Sequence, residues 1–269
     1  MDGLELLKDL RDGRCAIRYL PRVVLAPEPV VVGAVGCLVS SSGEGWSVAA
    51  LVRELPDEIL VQLWRWKLGH LDTAYHVVKG LRRSGVLRSS FSLSLDLPLA
   101  RLKSDEWAYE LLKELDAASI PGSFVELQVD IGEAPGSDGA RLQLSTCDLV
   151  RNAGVALALK GFPSSPSSLV QLAHGKFCKV IIDRSIVPAM HESVTVWARK
   201  RELLKGMISL AGSVGAGVVI DGVDEAGQLN FLDRLPQVEW QGAYWGNPVE
   251  LRLLFDLGGR SEISAGLAC

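Results

Sequence analysis

Residues that form disulfides and metal sites are scarce in this sequence, which has five cysteines and four histidines among 269 residues. The cysteine number is odd, their spacing is wide and no C-x-x-C occurs. These features predict free thiols of a cytoplasmic protein and exclude a disulfide framework. No two histidines lie two or four residues apart, as ligands on one strand or helix would, so we expect no histidine-based metal site.

Long uncharged apolar runs and an excess of positive charge are also absent. The formal net charge is −4, so nucleic acid is not expected as a partner. No run reaches the roughly 18 apolar residues that a membrane-spanning helix needs, and no secretory leader is recognisable. Hydrophobic residues make up 48% and charged residues 22%, a balance that predicts a large folded core and excludes a disordered chain.

The hydrophobic residues fall into eight short runs, which we predict to be strands: 15–20, 30–36, 90–97, 124–131, 155–161, 179–183, 217–222 and 238–246. A short turn joins the first two runs, so they are expected to pair as a hairpin. Helix-period segments separate the others, which predicts parallel strands with right-handed crossovers. The predicted class is α/β, a modified (β/α)8 TIM-like barrel with an antiparallel first strand. We expect one domain over 1–257 and a flexible tail over 258–269.

Two helical segments carry further predictions. Apolar spacing indicates a helical pair over 56–67 and 70–83, broken near Gly69, and a basic helix over 190–205. Both are candidate interaction surfaces, the first over 56–87 through Trp64, Trp66 and His70. The alternative is that these tryptophans belong to the core or to a dimer contact.

Three predicted strands end on an aspartate: Asp130, Asp183 and Asp221. In a barrel such strand ends meet at one rim, where carboxylate oxygens can hold Mg²⁺ or Mn²⁺. The alternative is that each aspartate only caps the turn or helix that follows it.

Eight ordered segments resemble the motifs of one known protein family. "AIRYLP" resembles Y-Q-P, and "VVGAVGCLVS" stands where G-A-E-A-L-x-R is expected. "SFSLSLD" and "VELQVDIGE" are similar to the strands that carry a ligand Asn and the E-x-T-E motif. "VALALKGFPSSPSSL" is similar to A-L-D-D-F-G-T-G-Y-S-S-L, and "VIIDRSIV" to K-I-D-R-S-F. "VVIDGVDEAGQL" and "WQGAYWGNP" resemble A-E-G-V-E-x-x-x-Q-L and Q-G-Y-x-x-x-x-P. In this order the segments resemble the EAL domain family, which hydrolyses the bacterial second messenger cyclic di-GMP on such a barrel.

Some motif positions keep the family residue and others do not. The resemblance assigns the retained positions to Asp183, Gln241, Gly242 and Pro248. The altered positions are Leu20, Val35, Val39, Ser94, Asp130, Lys160, Gly161, Ile181 and Asp221. Among them, Val35 replaces a ligand Glu and Val39 an Arg that grips a phosphate. Ser94 takes the place of the ligand Asn.

The family's adjacent aspartates fall on Lys160 and Gly161, and the lysine that helps to activate water falls on Ile181. A two-metal hydrolase must gather enough anionic oxygen to hold two dications about 4 Å apart. We therefore expect no metal and no other cofactor. We also expect the Lys160 ammonium to replace the cation and to pair with Asp130, Asp183 or Asp221.

These replacements predict a chain that is not an enzyme. The favoured function is a catalytically inactive EAL-like regulator that acts through an unidentified protein partner in bacterial signalling, such as control of motility, biofilm or virulence. A homodimer is a further expectation. One alternative is a receptor that binds cyclic di-GMP without cleaving it, with Gln241 and Pro248 meeting a guanine. A second alternative is an altered metal-dependent phosphodiesterase that uses Asp130, Asp183 and Asp221.

Overall fold

The computed structural model describes residues 3–25, 29–40, 45–46, 57–87, 90–98, 105–130, 144–164, 168–232, 235 and 238–257. The strands are β1 Cys15–Leu25, β2 Pro29–Ser40, β3 Gly45–Trp46, β4 Ser92–Pro98, β5 Val125–Asp130, β6 Ala156–Phe162, β7 Lys179–Ile182, β8 Gly217–Asp221 and β9 Glu239–Gln241. The helices are α1 Gly3–Arg11, α2 Asp57–Arg83, α3 Asp105–Ala117, α4 Leu144–Asn152, α5 Ser168–His174, α6 Val194–Ser213, α7 Ala226–Leu232 and α8 Leu253–Leu257. All eight predicted strands are present.

Eight of the strands close into a barrel. The order is β1-β9-β8-β7-β6-β5-β4-β2, with an additional β1–β2 pairing that closes the ring and with β3 beside β2. Strand β1 is antiparallel to both of its neighbours, whereas the pairs from β2–β4 through β8–β9 are parallel. This confirms the predicted modified (β/α)8 TIM-like barrel with an antiparallel first strand.

Alternation along the strands divides the side chains between two environments. On β4, Leu93, Leu95 and Leu97 belong to the main hydrophobic cluster, which includes residues of the surrounding helices. Ser94 and Asp96 point to the opposite face, the barrel axis, where they meet side chains of other strands. A small apolar cluster of Ala158, Ile181 and Val219 also lies on the barrel axis.

Helix α2 is continuous from Asp57 to Arg83, so the predicted break near Gly69 is wrong. A glycine inside a helix costs only about 1 kcal/mol relative to alanine. The buried stripe of Leu63, Leu71, Ala74 and Val78 runs past Gly69 and packs on both sides of it. Tertiary packing therefore outweighs the local cost.

Other predictions concern the C-terminal tail, the domain boundary and membrane-spanning helices. The predicted tail, 258–269, lies outside the described residues, and the single-domain boundary at 257 stays a prediction. Within the parts of the chain that the structure describes, no helix has both the length and the apolar character needed to cross a membrane.

Candidate functional site

The carboxyl ends of the parallel strands form one rim of the barrel, which we call the mouth. Its inward-facing polar residues include Asp96 on β4, Asp130 on β5, Lys160 on β6, Asp221 on β8 and Gln241 on β9. Asp130 and Lys160 are register partners on adjacent strands, and so are Asp221 and Gln241. Of the three strand-end aspartates predicted to meet here, Asp130 and Asp221 share the electrostatic surroundings of Lys160.

Lys160 bonds to Asp96 across the intervening strand β5. The sequence predicted Asp130, Asp183 or Asp221 as the ion-pair partner, so this detail is wrong. Asp96 was overlooked because the resemblance had assigned the motif position to Ser94, two residues earlier. The alternation of Ser92, Ser94 and Asp96 on one face was a signal in the sequence that could have found it.

The charged groups at the mouth shift one another's pKa. Burial disfavours the charged form of Lys160, but Asp96 above all, with Asp130 and Asp221, outweighs burial and raises the pKa of the ammonium. Burial raises the pKa of Asp221, although Arg184 and Lys160 oppose the shift. The cation therefore stabilises carboxylates that would otherwise repel one another.

The retained motif residues have different roles. Asp183 follows β7 and caps a short 3-10 turn by accepting a hydrogen bond from the Ser185 amide at 2.9 Å. Gln241 donates from Nε2 to Asp221 Oδ1 at 3.2 Å. Gly242 has φ of +150°, and a Cβ atom there would lie 2.2 Å from the Val223 carbonyl oxygen, so the backbone next to Gln241 requires glycine.

Ser94 lies in a second polar group on the barrel axis, which we call the lower cluster. Its members are Arg22, Ser94, Glu126, Lys179 and Glu239. Ser94 Oγ accepts from Arg22 Nη2 at 2.5 Å and donates to Glu126 Oε1 at 2.8 Å. The placement of Ser94 in a ligand site at the mouth is therefore wrong, because the strand register puts it nearer the amino ends of the strands.

The remaining altered positions are mainly apolar contacts. Leu20 and Val35 are register partners in the β1–β2 hairpin, and Val35 and Val39 are buried. Ile181 belongs to the small apolar cluster. Gly161 has φ of +75° with open space around its Cα, and Pro248 is exposed.

Two further residues near the mouth were missed. Lys67 of α2 is only 2% exposed, and burial lowers its pKa while Asp96 opposes that shift. Burial raises the pKa of Cys37 to about 11, with a further contribution from Asp96. A lysine inside a helix normally faces solvent, so no local pattern in the sequence marks Lys67 as buried. No local pattern marks Cys37 as a neighbour of Asp96 either.

Gln128 was also missed, and it lies on β5 opposite Asp96 in the strand register. Its side chain is 1% exposed. Among the described residues neither its Nε2 nor its Oε1 has a hydrogen-bond partner, and the same is true of Gln241 Oε1. Buried amide atoms without protein partners indicate positions where water or a polar ligand completes the hydrogen bonding.

The resemblance implies a centre of two divalent cations, and the mouth residues do not fit such a pair as they are arranged. Asp96 is bound by the Lys160 ammonium, and that positive charge lies among the oxygens that a dication would need. A neighbouring ammonium repels a dication by several kcal/mol at an effective dielectric constant of about 20. In this arrangement the mouth carboxylates suit one ammonium better than two dications.

Comparisons with known proteins agree on the family. The family model described as "EAL domain" matches residues 4–248. The protein y4lL of Sinorhizobium fredii is 26% identical over 175 residues, which cover 65% of this chain and 20% of that protein. The cyclic di-GMP phosphodiesterase PdeR of Escherichia coli is 24% identical over 191 residues, covering 71% of this chain and 27% of that protein. The matched part of the chain thus spans 20% and 27% of the length of these two relatives.

A solved structure shares the same fold. The EAL enzyme Bd1971, in its form with cyclic AMP and cyclic di-GMP bound, has a TM-score of 0.80 and 17% identity. The match covers 95% of this chain and 67% of that one. At this level of identity the likeness supports the fold alone.

These findings contradict the prediction that the chain is not an enzyme. That prediction was based on the residues at Val35, Lys160 and Gly161, but it overlooked the carboxylate of Asp96 at the mouth. The match to a family with phosphodiesterase members extends across nearly the whole barrel. The chain belongs to the EAL domain family.

Proposed function

We propose that the mouth binds cyclic di-GMP, the step that hydrolysis and recognition without hydrolysis have in common. The observation that carries the proposal is the position of Lys160. Its side chain is 30% exposed while it remains bonded to Asp96, so the residue is accessible from the mouth, and we assign its ammonium to a phosphodiester oxygen of the ligand. Membership of the EAL family and the bound cyclic di-GMP in the Bd1971 structure support this choice of ligand.

The amide of Gln241 supports recognition of a base. Its Nε2 is held by Asp221 at 3.2 Å, which fixes the side chain, and its Oε1 has no partner among the described residues. A fixed acceptor of this kind matches the N–H groups on the edge of a guanine. We therefore assign phosphate contact to Lys160 and base contact to Gln241.

Lys160→Met is expected to weaken cyclic di-GMP binding by about 10- to 100-fold, because one charge-assisted hydrogen bond is worth about 1.5–3 kcal/mol. Isothermal titration of the whole chain, with and without Mg²⁺, measures this change. Chromatography of the same samples for the linear dinucleotide shows whether bound ligand is hydrolysed. Failure of the wild type to bind cyclic di-GMP in both conditions overturns the proposal.

The matched control for this substitution is Lys176→Met. Lys176 also forms an ion pair with an aspartate, Asp148, at 2.6 Å, but this pair lies outside the barrel mouth. We expect the control to bind like the wild type. Equal losses in the two variants would show that Lys160 does not contact the ligand.

Asp221→Asn tests whether the ligand phosphate is bound by Lys160 alone or by a cation that Asp221 holds. If Lys160 alone meets the anion, removing a neighbouring negative charge strengthens binding by about 3- to 10-fold through reduced repulsion. Asparagine can still accept the hydrogen bond from Gln241, so the local geometry is kept. A loss of Mg²⁺-dependent affinity instead would indicate that Asp221 holds a cation, and Asp148→Asn serves as the control at a distance.

Regulation through a protein partner or a homodimer stays a prediction from the sequence, as does a cytoplasmic location. On the first predicted surface, helix α2, Trp64 is only 8% exposed and packs against Trp107 with ring centroids 5.6 Å apart. Trp64 is therefore a core residue and cannot contact a partner. Helix α6 keeps Arg199 and Lys205 exposed, and its Leu203 is 52% exposed. Trp66 and His70 of α2 are half-buried, so the partner prediction stays a prediction for both helices.

A further inference from the structure

Lys67 lies on the buried face of helix α2, at a position where the spacing of apolar residues favours a hydrophobic side chain. The residues four positions before and after it are Leu63 and Leu71, and both belong to the core. Lys67 itself is 2% exposed, so very little of this side chain meets solvent. A buried lysine is costly unless a hydrogen bond or an opposite charge offsets its lost solvation.

Lys67 approaches the barrel where strands β2 and β4 separate. The ladder between these strands ends at Val35 and Ser94, and further along β2 pairs with β3 instead. Two residues beyond that last pair lie Cys37 on β2 and Asp96 on β4, and the charge of Lys67 interacts with both. The ammonium therefore lies within electrostatic range of the mouth.

Two lysines compete for the Asp96 carboxylate. Lys160 bonds it through Oδ1, and this ion pair does not use Oδ2. Within the part of the chain that the structure describes, the Lys67 ammonium forms no hydrogen bond and no ion pair. Burial lowers the pKa of Lys67, Asp96 opposes that shift, and the charge of Lys160 adds to it. Asp96 thus attracts a second buried lysine that is not yet bonded to it.

We propose that Lys67 is a positioning residue that acts as a reserve counter-ion for Asp96. When Lys160 turns to an anionic ligand, the Lys67 ammonium bonds the Asp96 carboxylate in its place. The ligand step rests on the proposed function, but the exchange of the two lysines on Asp96 can be tested without nucleotide.

The physical basis is the cost of an unpaired buried charge. The Asp96 side chain is only 11% exposed, so moving Lys160 onto a phosphate would leave a largely buried carboxylate without a cation, which is strongly unfavourable. With Lys67 present, Asp96 keeps one ion pair throughout. The departure of Lys160 also removes the repulsion between the two ammoniums, which favours the charged form of Lys67.

A double-mutant cycle in chemical denaturation of the whole chain, without nucleotide, tests the exchange. We expect Lys67→Met and Lys160→Met each to have a small effect, because the remaining lysine neutralises Asp96. The double variant is expected to raise the equilibrium constant of unfolding by at least about tenfold more than the product of the two single changes. The same cycle in the Asp96→Asn background is expected to show no such excess, since the shared carboxylate is gone.

The matched control combines Lys160→Met with Lys176→Met, and we expect no excess because Lys176 pairs with Asp148 outside the mouth. If the double variant at residues 67 and 160 does not fold, adding Asp96→Asn is expected to restore folding. Failure to restore it overturns the inference. So does a cycle without excess, or an equal excess in the Asp96→Asn background.

Isothermal titration with cyclic di-GMP tests what the exchange is used for. We expect Lys67→Met to weaken binding at least about fivefold, because Asp96 then holds Lys160 back, and to have no effect in the Asp96→Asn background. A purely structural role of Lys67 would weaken binding equally in both backgrounds, and that result overturns the positioning role. If the wild type does not bind cyclic di-GMP, the proposed function fails, whereas the denaturation cycle still decides whether the lysines exchange.

Discussion

Replacing Arg22 by methionine is expected to lower the free energy of unfolding by about 3–5 kcal/mol, the cost of leaving a buried charge without its partner. The Arg22 and Glu126 side chains are fully buried. The guanidinium bonds both Glu126 oxygens, at 2.9 and 2.7 Å, and reaches Glu239 at 3.2 Å. The mutation leaves Glu126 with Lys179 as its remaining cation.

Chemical denaturation followed by circular dichroism measures this loss, and Arg18→Met is the matched control. Arg18 lies on the same strand and pairs with Glu250 at 2.8 Å, but both side chains are exposed. Exposed pairs contribute at most about 1 kcal/mol. Similar losses for Arg18→Met and Arg22→Met would contradict the assigned role of the lower cluster.

Arg22→Met is also expected to make the free energy of unfolding less sensitive to acid. Burial raises the pKa of Glu126, but Arg22 and its other partners outweigh burial and lower it from 4.5 to about 2. A carboxyl with a depressed folded-state pKa contributes stability that is fully present above its unfolded value and is lost as the pH falls through its folded value. Between pH 5 and pH 3 the wild type should lose about 2 kcal/mol through this group, and Arg22→Met should lose less.

Gly242→Ala is expected to destabilise the barrel by about 2–5 kcal/mol, the sum of backbone strain and overpacking. The new Cβ atom would lie 2.2 Å from the Val223 carbonyl oxygen and 2.5 Å from its amide nitrogen. The backbone must move, and Gln241 moves with it. We therefore expect weaker cyclic di-GMP binding as well as a lower melting temperature.

Gly161→Ala separates the cost of backbone strain from the cost of a steric clash. Gly161 also has a positive φ, +75°, but a Cβ atom there would have no neighbour within 4 Å. Its expected cost is about 1–2 kcal/mol, the cost of a left-handed conformation alone. If thermal denaturation shows equal losses for the two variants, close packing against Val223 is not what makes glycine necessary at position 242.

The strand pattern and the chain order were predictable because they depend on local periodicity. Eight apolar runs with helical segments between them predicted the barrel, and the short turn after Leu25 predicted the antiparallel first strand. The resemblance to the EAL family was carried by the order of weak motifs. Gly69 misled the helix prediction because local propensity was weighed without the packing on both sides of it.

The site was only partly predictable, because two residues on one face of a strand can lie at different depths in a barrel. Alternation placed Ser94 and Asp96 on the same side of β4, but the register between strands put Ser94 beside Arg22 and Asp96 beside Lys160. Because the motif position was assigned to Ser94, the carboxylate of Asp96 was overlooked. That omission contributed to the wrong prediction that the chain is not an enzyme.

The sequence by itself determined the fold class, the order of the eight barrel strands, and the position of Asp130, Lys160 and Asp221 at one end of the barrel. Only the tertiary structure decided that Lys160 pairs with Asp96, that Arg22 and Glu126 form a buried ion pair, and that Lys67 is buried. Each of these contacts joins elements far apart in the chain, and their geometry depends on barrel closure and strand stagger, which no local pattern encodes.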